Sequence, residues 1–85
     1  MPTLSMFFGI IIRMFADDHN PPHFHASYQG SNATFDLNGN LLEGEMPIKQ
    51  QKLIGAWAEI HHDELVANWE LAANKEALFK ISPLK

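Results

Sequence analysis

Cysteine is absent from the 85 residues. Its absence excludes a disulfide framework, thiolate zinc sites and a thiol nucleophile together. Any metal would have to be held by His, Asp, Glu or Asn. Basic residues are scarce, and unevenly so: of six Lys and Arg only Arg13 precedes Lys49, and the formal charge is −4. Without a basic stripe, phosphate-backbone binding by the chain alone is disfavoured. Long apolar runs are also missing. The N-terminal "MPTLSMFFGIIIRMF" is interrupted by Arg13, lacks a basic lead-in and a cleavage site, and is too short to span a bilayer. A soluble, cytoplasmic protein without a membrane role is expected. Repeats, low-complexity tracts and linkers are absent too.

What is present is a surplus of apolar side chains. They make up 46% of the chain, including two Trp and six Phe. A chain of this length makes one small domain with a modest core, so some of this surface is left over for a partner.

The residue pattern predicts an α+β fold: an antiparallel sheet of four to five strands with one long helix, kinked near His62, on one face. Residues 5–16 read as a single strand. One face carries Met6, Phe8, Ile10, Ile12 and Met14; the other carries Phe7, Gly9, Ile11, Arg13 and Phe15. A hairpin follows, 23–29 with 32–37. With Gly30-Ser31 at the centre of its turn, Phe24 would face Leu37, Ala26 Phe35, Ser27 Thr34, and His25 Asp36. Asn38-Gly39 marks a second hairpin into a short strand near 40–45. From Pro47 the apolar period becomes helical: Leu53, Ile54, Trp57, Ile60, His61, Leu65, Trp69 and Ala72. One helix over 48–74 would be about 40 Å long and its far end would project. Two helices with Asp63 as the cap are the alternative. "LFKIS", 78–82, reads as a last short strand.

This register gathers polar groups on one sheet face: His23, His25, Ser27, Thr34 and Asp36, joined by Arg13. An ordinary solvated sheet face explains them equally well. "DHNPPHFH", residues 18–25, gives the sharper readings. His-x-His on a strand projects His23 and His25 to one side. His19 on the proline-stiffened loop would complete a three-histidine set for zinc or manganese, with Asp18 or Asp36 as a further ligand or orienting carboxylate. His25 beside Asp36 would equally make an oriented base. Around Asn20-Pro21-Pro22 trans bonds and a rigid lead-in are expected, the alternative being one cis X-Pro bond that aims His19 at the site. On the helix, His61 and Asn68 are boundary residues and secondary binding candidates.

"FFGIIIRMFADDHNPPHFHASYQG", "FDLNGNLLEGEMP", "EIHHDELVANWELA" and "KISPLK" resemble a family of small bacterial proteins, the domain-of-unknown-function family 4160. The matching positions are His19, Asn20, Pro21, Pro22, His23, Phe24 and His25, and on the helix His61, Glu64, Leu65, Asn68 and Trp69. The resemblance implies a prokaryotic or phage cytoplasmic protein, and family members are suspected components of toxin–antitoxin-type gene pairs.

Two function classes follow. In the first the chain is an interaction module, one partner of a regulatory pair, with a homodimer surface over Phe7, Ile11 and Phe15. In the second it is a His- or metal-dependent hydrolase or nuclease. Its catalytic groups would be His23, His25 and Asp36, with Arg13 stabilising an anion.

Overall fold

Residues 3–13 do not run as one strand. In a computed structural model, which describes residues 3–16 and 19–84, β1 (Thr3–Phe7) and β2 (Ile10–Arg13) form an antiparallel hairpin. Phe8 and Gly9 turn it, with φ of 50° and 79°. Positive φ at both central residues suits the right-handed strand twist, and glycine carries the second position without steric cost. The turn reverses the chain within the predicted 5–16 strand, so residues before it lie on the opposite face from that expected. Ile10, Ile12 and Met14 are buried as predicted. Met6 and Phe8 are exposed, whereas Phe7 is buried and packs its ring 5.4 Å from that of Trp57. The expected Phe7, Ile11 and Phe15 surface therefore does not exist as one face.

β3 (His23–Tyr28) and β4 (Ser31–Asp36) make the second hairpin. Its turn centres on Gln29 and Gly30, at φ 44° and 86°, so the register is displaced by two residues from that expected. Phe24 faces Phe35, Ala26 faces Ala33, His25 faces Thr34, and Asp36 faces His23. A shift of two preserves which side chains point inward. This is why the apolar matching held in either register while the His25–Asp36 pairing did not. β5 (Leu41–Gly44) completes a sheet of order β1-β2-β3-β4-β5. The register shifts between Thr34 and Phe35, with Leu42 as the extra residue, and Gly44, opposite Ala33, has φ +89°. A Cβ there would lie 2.3 Å from the Asn32 carbonyl oxygen.

The helical segment is two helices: α1 (Ile48–Ile60) and α2 (His62–Ala73). They part at His61, with φ −108° and ψ 27°, so the cap position is His61 and not Asp63. The backbone ladder nevertheless runs on, from His61 N to Trp57 O and from Leu65 N to His61 O. The bend lets both apolar stripes meet the sheet. Neither helix projects: the longest dimension is 33 Å. Ile54, Trp57, Ala58, Leu65 and Ala72 close the core over Ile10, Ile12, Phe24, Ala26, Ala33 and Phe35.

The predicted strand at 78–82 is an extended tail. It makes one backbone bond to the sheet, Ile81 N to Leu4 O at 2.8 Å. Side chains hold it otherwise. Trp57 Nε1 donates to Ser82 O, and Asn68 both donates to Phe79 O and accepts from Phe79 N. No helix among the described residues is long and apolar enough to cross a membrane.

Candidate functional site

With the helices on one face, the other face of the sheet is open. One register row crosses all five strands on it: Thr3, Arg13, His25, Thr34 and Glu43. Met6, Ile11, Ser27 and Asn32 form the next row. On β1 and β2 the open face therefore pairs apolar Met6 and Ile11 with polar Thr3 and Arg13, and on β3 and β4 it is polar. Phe15 adds to the apolar side, its ring 4.4 Å from that of His25.

Two hollows lie on this face. The larger, about 320 Å³, brings together Arg13, His25, Ser27 and Thr34 with Ile11, Phe15, Asn32 and Glu43. Among the described residues Arg13 has no ion-pair partner. The smaller hollow, about 240 Å³, lies under the proline loop. His19, Asn20, Pro21, His23, His25, Thr34, Leu42 and Glu43 line it. Arg13, His19, Asn20, His23, His25, Ser27 and Thr34 line two adjoining hollows that share His25, Thr34 and Glu43, whereas Asp36, His61 and Asn68 line neither. Asn20–Pro21 is cis, contrary to the trans expectation.

The three histidines are neighbours without forming a metal cage. Ring centroids are 6.3 Å apart for His19 and His23, and 5.2 Å for His23 and His25, with planes inclined by about 60°. No group of three His, Asp or Glu among the described residues has metal-holding geometry. His23 Nδ1 donates to Pro21 O at 2.8 Å, which fixes the ring against the proline loop. Its ring is buried and packs 5.5 Å from Trp69 of α2. Asp18, the other proposed carboxylate, lies outside the described residues.

Asp36 does not orient a histidine. Its Oδ1 accepts from Asn38 N and Asn40 N, both at 2.9 Å, and its Oδ2 accepts from the Asn40 amide. Partial burial pushes its carboxyl up, but these donors outweigh burial and hold it below its ordinary value. Asp36 lies opposite His23 in the strand register, but its carboxylate turns to the donors of the β4–β5 turn. The helical candidates lie elsewhere. His61 pairs its Nδ1 with Glu64 Oε1 at 2.5 Å, and its ring is 5.8 Å from that of Trp57. Asn68 is fully buried with its amide committed to the tail. Sequence reasoning missed Leu42, Glu43 and Asn32. Carrying the strand register across Asn38-Gly39 would have placed Glu43 beside Thr34.

A family model described as "Domain of unknown function (DUF4160)" matches residues 9–70. No curated protein and no solved structure matches the chain. The matched segment contains the proline loop, both hollows and the His23–Trp69 contact. It leaves out β1 and the tail.

Proposed function

The chain belongs to the DUF4160 family, and on that premise we propose that it is a small cytoplasmic interaction module. It acts as one member of a two-protein regulatory pair of the toxin–antitoxin type. The open sheet face carries this reading. Met6 is 63% exposed beside half-buried Ile11 and Phe15, on a face that no described helix covers. Apolar surface of this kind next to a polar half is what a protein interface uses. The homodimer expectation moves to this corrected surface, with Met6 in place of Phe7.

The test is co-expression with the product of the adjacent gene, followed by size-exclusion chromatography with light scattering. A stable complex, or a homodimer, that the folded Met6→Glu/Ile11→Glu variant loses supports the reading. A monomer that binds nothing sinks it. Metal content separates the hydrolase alternative. Stoichiometric zinc or manganese that disappears in His23→Ala/His25→Ala would favour metal-dependent chemistry instead.

A further inference from the structure

The two edges of the sheet differ. The outer edge of β1 receives the tail through Ile81 N and Leu4 O. β5, at the other edge, has all four residues exposed, with Leu41 and Leu42 at 40% and 42%. Among the described residues no backbone hydrogen bond is made on its outer side. A free edge is a template for one more strand.

Charge says which strand. Between Arg13 and Lys49 the chain has no Lys or Arg. That stretch supplies β3, β4 and β5, and β5 carries Glu43 with Glu45 just after it. The edge is acidic, and no Lys or Arg lies on the two strands inside it. Beside it sits the smaller hollow, walled by Leu42, Pro21, the histidines and Glu43. Its apolar walls suit the methylene stem of a long side chain, and Glu43 suits a cationic head.

We infer that β5 is the docking edge for an extended, basic segment of a partner protein, which adds a sixth strand and places one Lys or Arg side chain in the hollow beneath the proline loop. The inference rests on the interaction-module reading and names the partner's chemistry. Main-chain bonds to β5 would give affinity, and the hollow would give specificity. The irregularity at Leu42 and the four-residue length of β5 limit the added strand to a short segment.

The experiment uses the full chain and three blocked seven-residue peptides. One alternates Val with Arg and Lys, one carries Glu in place of the basic residues, and one is the basic peptide N-methylated at alternate positions. Affinity is read by calorimetry at low salt, and β5 amides are followed by hydrogen exchange. The basic peptide is expected to slow exchange along Leu41–Gly44. The acidic and N-methylated peptides are expected to bind at least tenfold more weakly. Glu43→Lys, an exposed substitution that leaves the fold intact, should reverse the preference between basic and acidic peptides. Unprotected β5 amides, or equal binding of the basic peptide to the Glu43→Lys chain, overturn the inference. So does β5 protection that grows with protein concentration alone, because the occupant is then a second copy. If the edge fails while Met6→Glu/Ile11→Glu still abolishes association, only this inference falls. If neither surface associates, the module reading falls with it.

Discussion

Asp36 and Ser5 show how differently two small polar side chains are used. Asp36 closes the β4–β5 turn through backbone donors. Asp36→Ala should lower stability by about 1 kcal/mol in chemical denaturation, the usual net worth of such bonds. The carboxyl is held below its ordinary value, so its contribution is present above the ordinary carboxylate pKa. It is lost as pH falls through the lowered folded value. The acid limb of a Tm-against-pH curve should therefore be shallower in Asp36→Ala than in the parent chain. Ser5 is the opposite case. It is buried on β1 and its Oγ has no hydrogen-bond partner. Ser5→Ala removes an unpaired hydroxyl at little packing cost, so it should be neutral or raise stability by up to about 1 kcal/mol. A clear loss of stability would show that the hydroxyl is satisfied in solution.

At the scale of elements, the two halves of the family-matched segment meet where His23 of β3 packs on Trp69 of α2. A double-mutant cycle with His23→Ala and Trp69→Ala should return a coupling of about 0.5–1.5 kcal/mol. Additivity within error would mean that the rings are merely adjacent. Much of this arrangement was legible in the residue pattern. Alternation located β3 and β4 and sorted His25, Ser27 and Thr34 from Phe24, Ala26 and Phe35, because inward and outward positions survive a two-residue slip. Helical spacing found the stripe from Ile54 to Ala72. What stayed hidden depended on local backbone geometry. The Phe8-Gly9 turn interrupts a run whose apolar residues continue on both sides of it. The break at His61 has no Gly or Pro to mark it, because the bend serves packing. The candidate site was legible as a face and a loop. Its hollows were not, since they need the exact placement of β5 beside β4 and of Pro21 over His23.

For the whole molecule, the covered and uncovered surfaces differ sharply. Helices and core occupy one face of the sheet, the tail lies along β1, and the other face and the outer edge of β5 are uncovered among the described residues. The tail depends on two buried side chains, Trp57 and Asn68. Asn68→Ala would strand the Phe79 backbone groups and should cost about 1–3 kcal/mol. Exchange at the Phe79 and Ile81 amides should rise well before that of the β3–β4 ladder. Equal acceleration everywhere would instead make the tail part of the global unfolding unit.

The bond between Leu4 and Ile81 has a topological meaning as well. It sets β1 and the tail side by side along a seam outside the family-matched segment. Sealing that seam with a short glycine-serine linker and reopening the chain between Gln29 and Gly30 would yield a circular permutant with every strand neighbour retained. Such a permutant should fold to the same sheet, seen as an unchanged pattern of exchange-protected amides in β2, β3 and β4. Sequential order along the chain would then be dispensable, and the sheet's spatial order would be the property that defines the fold.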